Sequence, residues 1–151
     1  MNTWKSSSEE QVNAEKIMAL MLEEQLGVKL EKNRKIVLNQ DNDVYVVPDI
    51  YSETALIIGE IYAHIGKLKP AQNHKITNDI LKMLLLEKIT GKCYKKIIAV
   101  CDTRVMKSIQ GKSALAEAIR QFEVEVICLE IDEDTKNQIV IAQERQKMIN
   151  G

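Results

Sequence analysis

The stretch Ala55-Leu-Ile-Ile-Gly-Glu-Ile-Tyr-Ala63 decides how the fold of this sequence is interpreted. Its pattern is that of one buried strand, because apolar residues surround a single acidic side chain, Glu60. A carboxylate in such a run is costly unless it is paired or binds a metal. A second acid, Asp49, stands eleven residues earlier in Val-Val-Pro-Asp-Ile. Two carboxylates on neighbouring strands would provide oxygen ligands for a hard divalent cation.

Length and composition are those of one ordinary globular domain. The chain has 151 residues, of which 45% are apolar and 28% are charged, which is enough for a proper core. We expect a single domain over 1–151, with residues 1–8 as a flexible start. The sequence contains no membrane-spanning run and no signal-peptide segment at its start, so a cytoplasmic protein without a membrane partner is expected. The three cysteines lack CxxC spacing, which predicts core thiols rather than disulfides or a zinc site.

The net charge of −1 hides an uneven distribution along the chain. Residues 64–112 contain eleven basic and three acidic side chains, a net charge of +8, whereas the segments on either side are acidic. A basic stretch of this kind is either an anion-binding surface or a set of solvated lysines. Because lysines are usually exposed, charge alone favours the second alternative.

Hydrophobic periodicity predicts elements in the order α-β-β-β-α-β-α-β-α. They are a helix over about 9–26, strands over 35–40, 44–49 and 55–63, a helix over about 70–90, a strand over 96–101, a helix over 111–122, a strand over 123–130 and a helix over about 135–149. The first three strands are predicted to form a meander. Antiparallel strands followed by α-β crossovers predict an α/β fold, a mixed sheet with helices on both faces.

With this order of elements, the chain resembles the PD-(D/E)xK, or restriction-endonuclease-like, nuclease superfamily. The resemblance depends on Pro48-Asp49 at the end of the second strand, Glu60 in the third strand and Ala14-Glu15 in the first helix. Gln72 and Lys75, at the start of the next helix, are similar to polar residues that some branches of the family place there. The resemblance implies a restriction-endonuclease-like fold and cleavage of DNA.

The same resemblance implies a role for each of these residues. Asp49 and Glu60 would bind Mg²⁺ or Mn²⁺, Lys75 would assist the nucleophile or the phosphate, and Gln72 and Glu15 would orient water or metal. The chemistry agrees, since phosphodiester cleavage needs charge neutralisation and a hydroxide-like nucleophile, and a bound divalent cation supplies both. Magnesium prefers one or two carboxylates and keeps several waters.

One position departs from the family pattern. The family has a lysine two residues after the second acid, and Tyr62 stands there in this chain. Three residues are candidates to replace that lysine: Lys75 from the following helix, Lys67 from the loop and His64 from the same strand face. Lys75 is preferred, because the first turn of its helix should lie over the strand ends. The remaining alternative is a site that does not cleave.

Each acid also has an ordinary structural explanation. The alternative explanation of Asp49 is the start of a turn after Pro48, that of Glu60 is a residue at a solvated sheet edge, and that of Glu15 is a helix-surface acid. Strand alternation places Glu60 and Tyr62 on one face of their strand. The metal site therefore requires Asp49 to face the same side.

The expected function is that of a divergent metal-dependent DNA nuclease. Its basic stretch would contact DNA backbone phosphates through Lys67, Lys69, Lys75 and Lys82, which positions the substrate without reading its sequence. The family resemblance also implies a homodimer, in which two sites act on two strands. The alternative is a catalytically inactive nucleic-acid-binding or protein-interaction module on the same fold.

Overall fold

The computed structural model describes the backbone of residues 3–150 and the side chains of residues 9–149. The elements in chain order are α1 (Thr3–Leu26), β1 (Glu31–Lys32), β2 (Ile36–Asn39), β3 (Val44–Val46), β4 (Ile50–Ser52), β5 (Ile57–Tyr62), α2 (Pro70–Thr90), β6 (Lys95–Val100), α3 (Thr103–Ser108), α4 (Ala114–Gln121), β7 (Val124–Cys128) and α5 (Glu133–Asn150). Among the described residues, no helix has both the length and the apolar character that crossing a membrane requires.

Five strands form one mixed sheet in the order β1-β4-β5-β6-β7. The strands β1, β4 and β5 pair in antiparallel fashion, whereas β5, β6 and β7 are parallel and joined by helical crossovers. The strands β2 and β3 form a separate two-stranded hairpin. The predicted α/β fold with a mixed sheet flanked by helices is therefore confirmed.

Two apolar cores cover the two faces of the sheet. One core lies between the sheet and the helices α2, α3 and α4, with the β2–β3 hairpin at its margin, and the other lies between the sheet and the helices α1 and α5. The inner strand β6 contributes to both cores, and its residues Ile97, Ile98, Ala99 and Val100 have no exposed surface. Burial on both faces explains the unbroken apolar sequence of this strand.

Gly59 allows β5 to pass closely between its two neighbours. A Cβ atom at this position would lie 2.8 Å from Cδ1 of Ile50 on β4 and 3.0 Å from the carbonyl oxygen of Ile97 on β6. A side chain would have to move backbone as well as side-chain atoms, so only glycine fits here without a shift. Gly59 thereby keeps β4 close to the strand that carries Glu60.

The predicted three-stranded meander is wrong. The sequence predicts one strand over 44–49, whereas the structure divides this region between β3 and β4, with Pro48 and Asp49 in the bend between them. Pro48 has no N–H to donate to a strand ladder, and the N–H of Asp49 is donated to the Glu60 side chain. Asp49 consequently lies at the entrance of β4 rather than at the end of the preceding strand.

Two short elements and the start of the first helix also differ from the prediction. The prediction lacks β1 and α3, because elements of two and six residues are too short to show a period. The helix α3 begins after Asp102, whose carboxylate accepts a 2.9 Å hydrogen bond from the N–H of Arg104. The helix α1 begins at Thr3, earlier than the predicted start near residue 9. Residues 1, 2 and 151 lie outside the described residues, and the flexible start stays a prediction.

Candidate functional site

Asp49, the residue just before β4, lies next to Glu60 on the antiparallel strand β5. The ladder between β4 and β5 ends with Ile50 opposite Gly59, so the next position along the chain brings Asp49 against Glu60. The N–H of Asp49 donates to Oε2 of Glu60 over 3.2 Å, and Oδ2 of Asp49 accepts from the N–H of Ile61 over 2.8 Å. The contact between the two chain segments thus continues beyond the end of β4 through the Asp49 and Glu60 side chains.

Glu60 is nearly enclosed by protein. Its exposed fraction is 9%, and β5 lies between β4 and β6 in the middle of the sheet, so the alternative of a solvated sheet edge is wrong. Burial raises the pKa of Glu60 to about 8, and the neighbouring charges of Asp49 and Asp79 act in the same direction. The positive charge of Lys75 lowers the pKa of Glu60 but does not outweigh burial and the two acids.

Asp49 is more accessible than Glu60. Asp49 does lie in the bend after Pro48, as its structural explanation predicts, but its carboxylate bonds to β5 rather than within the bend. Burial raises the pKa of Asp49, although the hydrogen bond from Ile61 opposes this effect. Asp49 lines an open cavity of about 420 Å³, whereas Glu60 lines a void of only about 20 Å³.

Glu15 joins the pair from the opposite face of the sheet. The helix α1 packs on β5 through Ala14 and Met18, which are fully buried, and Glu15 follows Ala14 at the margin of this contact. Glu15 is half-buried and lines the same 420 Å³ cavity as Asp49. Burial raises the pKa of Glu15 to about 7, with a further contribution from Asp49. Glu15 is therefore part of the acidic cluster and not a fully solvated helix residue.

Lys75 approaches the same cavity from the first turns of α2. Its side chain is 61% exposed, and Nζ lies 3.1 Å from Oδ2 of Asp79 and 5.0 Å from the centroid of the Tyr62 ring. Burial opposes the charged form of Lys75, but Asp79, Glu60 and Asp49 outweigh it, so the pKa of Lys75 is raised. Lys75 is thus an ammonium group at neutral pH.

Gln72 and His64 bond to each other and not to the acids. Nε2 of Gln72 donates to Nδ1 of His64 over 3.0 Å, and Oε1 of Gln72 accepts from the N–H of Lys69 over 2.7 Å, which caps α2. Nε2 of His64 lies 3.3 Å from the carbonyl oxygen of Lys67, so the bonding pattern matches a neutral imidazole with its proton on Nε2. Both residues line the 420 Å³ cavity, but their polar atoms are already engaged.

Tyr62 and Asp79 complete the site, and the sequence prediction lacks Asp79 altogether. The Tyr62 hydroxyl donates a hydrogen bond to Oδ2 of Asp79, the atom that also accepts from Lys75. Asp79 lies on the buried face of α2, three residues after Ile76 and four before Met83. An acid at an apolar position of an amphipathic helix is the same signal that identifies Glu60, and it was available in the sequence.

The basic stretch divides into two groups. In the first group, each cation forms an ion pair within the protein: Lys95 with Glu125 at 3.3 Å, Lys96 with the half-buried Glu87 at 2.9 Å, and Arg104 with Asp102 at 2.8 Å. The positive charges of this group are therefore partly or wholly neutralised. A second group lies near the acids. Lys67 and Lys69 line a cavity of about 500 Å³ next to the first one, together with His64, Gln72 and, from α5, Lys147.

The described residues contain no group of three or more His, Cys, Asp and Glu side chains arranged to enclose a metal ion. Comparisons with protein-family models, with curated proteins and with solved structures found no match to this chain.

Proposed function

We propose that this chain is a divergent metal-dependent DNA nuclease of the restriction-endonuclease-like type. The observation that supports the proposal most is the apposition of Asp49, just before β4, and Glu60 on β5, with Asp49 lining an open cavity. Glu15 adds a third carboxyl group. Burial and the charges of neighbouring acids raise the pKa values of all three groups, as is common for carboxyl groups at functional sites.

The donor set fits a hard divalent cation. Mg²⁺ needs only one or two carboxylates, because it keeps several of its waters, whereas a structural zinc site would use four His or Cys ligands. Asp49 and Glu60 would hold the ion, and it would supply charge neutralisation at a phosphate and a hydroxide-like nucleophile. Both acids must lose their protons for this, so metal binding would release protons.

Lys75 has a narrower role than the family resemblance implies. Its raised pKa keeps it protonated, so it does not accept a proton from water. Its ammonium group, exposed at the cavity next to Asp49, is suited to bind a phosphate oxygen and to stabilise the negative charge that develops there. The half-buried Glu15 is suited to accept a hydrogen bond from water at the same cavity.

The substrate would extend from the acids toward the neighbouring cavity. Lys67 and Lys69 are exposed there, and Lys82 lies on the next turns of α2, 4.0 Å from Asp79. Lysine contacts to backbone phosphates fix the position of DNA and carry no sequence information. The affinity for DNA should accordingly decrease steeply as the salt concentration increases.

Cleavage of duplex DNA in the presence of Mg²⁺ or Mn²⁺ tests the proposal. Wild-type protein is compared with Asp49→Asn, which keeps the acceptor for Ile61 but removes the charge, and with Glu24→Gln, which removes an exposed charge of α1. Metal-dependent cleavage that Asp49→Asn abolishes and Glu24→Gln retains is the expected result.

The inactive module is the second candidate, and the tyrosine at the family's lysine position favours it. Its signature is salt-sensitive DNA binding by wild-type protein without metal binding and without cleavage. Absence of DNA binding even at low salt would contradict the nuclease and the nucleic-acid-binding module and would leave the protein-interaction module.

A further inference from the structure

We infer that Tyr62 and Asp79 are positioning residues that hold the Lys75 ammonium group beside the Asp49–Glu60 pair, so that a lysine from α2 takes the place of one on β5. The inference deepens the proposed function and depends on it for its catalytic meaning. Its structural content, the restraint on Lys75, is measurable without any reaction.

Asp79 is the centre of this arrangement. Its side chain is only 7% exposed and lies among the buried apolar residues of α2. A buried carboxylate is costly unless its oxygens accept hydrogen bonds and meet a positive charge. Oδ2 receives both the Tyr62 hydroxyl and Nζ of Lys75. Lys82 lies 4.0 Å from the other oxygen, so Lys75 is the closer cation.

Tyr62 connects this carboxylate to the strand that bears Glu60. The two residues are separated by one position on β5 and face the same side, where Tyr62 packs in the core with Ile76 and Ile80 of α2. Its hydroxyl reaches Asp79 across the gap between sheet and helix, and its ring lies under the Lys75 ammonium group at 5.0 Å. That distance is within the range of a cation–π contact.

The two contacts restrain a side chain that is otherwise free to move. A lysine that is 61% exposed on a helix has many accessible rotamers. Asp79 lies one turn later on α2, and the Tyr62 ring projects from β5. Together they limit the Lys75 side chain to the cavity that Asp49 also lines. Catalytic groups lose rate steeply when they are misplaced by as little as 1 Å, so such a restraint has a functional consequence. The opposing explanation is that the Tyr62–Asp79 bond only fastens α2 to β5.

The structural test follows Lys75 by NMR of ¹³C-methylated lysines, with Lys75→Arg used for assignment. Asp79→Asn keeps the shape and still accepts from Tyr62 but loses the charge. Tyr62→Phe keeps the ring but loses the hydroxyl. We expect Asp79→Asn to lower the pKa measured at Lys75 and to narrow the Lys75 signal through faster motion. Tyr62→Phe should also narrow the Lys75 signal, but by less. A Lys75 signal identical to wild type in both variants would overturn the inference.

The catalytic test uses rescue, which a merely structural role would not produce. In the variant Lys75→Ala, cleavage should fall by about tenfold or more. Adding Tyr62→Lys to this variant returns a lysine to the strand and should recover most of the loss in kcat. Lys88→Ala, on the exposed last turn of α2, is the control and should match wild type. A folded double variant with no recovery would contradict the inference.

The two levels of failure can be told apart. If wild-type protein cleaves no DNA under any metal condition, the proposed function fails, and the NMR comparison of Asp79→Asn with wild type still decides whether Lys75 is held. If wild-type protein cleaves but Asp79→Asn changes neither the Lys75 signal nor kcat, the proposed function stands and this inference is wrong.

Discussion

Replacing Glu60 with glutamine should make the metal-free protein more stable at alkaline pH. Glu60 is 9% exposed, and its pKa rises from 4.5 to about 8, first because of burial and then because of the charges of Asp49 and Asp79. Glutamine has the same shape, carries no charge and retains an acceptor for the N–H of Asp49. It therefore resembles the protonated form of Glu60 that the folded protein favours.

The direction of this pH effect on stability follows from the protonation of Glu60 in the folded and unfolded states. Between about pH 4.5 and pH 8 the unfolded chain has released the proton of Glu60 and the folded protein has kept it, so stability falls as the pH rises through this window. Each pKa unit corresponds to about 1.4 kcal/mol, so the shift from 4.5 to about 8 sets an upper limit of about 5 kcal/mol on the stability lost across this window. Relaxation of the site and coupling to Asp49 reduce this, so we expect about 2–3 kcal/mol.

Urea unfolding from pH 5 to pH 9, in the presence of a chelator, measures this effect. Wild-type protein should lose stability steadily with rising pH, and Glu60→Gln should show a clearly shallower decline and a higher free energy of unfolding at pH 8.5. Glu24→Gln controls for the loss of one formal charge at an exposed site of α1. If Glu60→Gln is less stable than wild type at pH 8.5, the argument that Glu60 is a destabilising buried charge is refuted.

Three further predictions concern the metal, the strand packing and the thiols. Mn²⁺ affinity should increase between pH 6 and pH 8.5, because the acids must release protons to bind it; calorimetry in buffers of different ionisation enthalpy measures the protons, and a pH-independent affinity would oppose this. Gly59→Ala should lower the free energy of unfolding by about 1–3 kcal/mol, because the added Cβ atom would lie 3.0 Å from the Ile97 carbonyl oxygen. The control Gly111→Ala, whose added Cβ atom would have its nearest neighbour at 4.0 Å, should stay within about 1 kcal/mol of wild type. Equal effects of the two substitutions would refute the packing argument. Thiol reagents should modify the exposed Cys93 well before Cys101, which is buried and whose pKa burial raises to about 11; equal rates by mass spectrometry would contradict the burial.

The local pattern was sufficient to predict the mixed sheet and the proximity of Asp49 to Glu60. Strand periodicity places Glu60 on a defined face, and the short spacing to Asp49 suits a hairpin between adjacent strands. The limits of α2 were also predictable, because Pro70 begins this helix and Gly91 ends it with a positive φ of 69°.

Other features depend on contacts between distant parts of the chain. The separation of β3 from β4 arises from Pro48 and from the bond that Asp49 donates to Glu60, which no local pattern contains. Sequence spacing alone likewise cannot show that the amide of Gln72 is already bonded to His64. Asp79 is different, because its apolar helix position was visible in the sequence and only its partner, Tyr62, requires the folded structure.

A calorimetric titration of Mn²⁺ into the protein at pH 8 tests most directly whether Asp49 and Glu60 share a divalent cation. We predict one binding site in wild-type protein and in Glu24→Gln, and at least tenfold weaker binding in Asp49→Asn and in Glu60→Gln. Unfolding curves confirm that each variant is folded before the titration. The claim would be contradicted if wild-type protein binds no Mn²⁺, or if the two variants bind it as tightly as wild type.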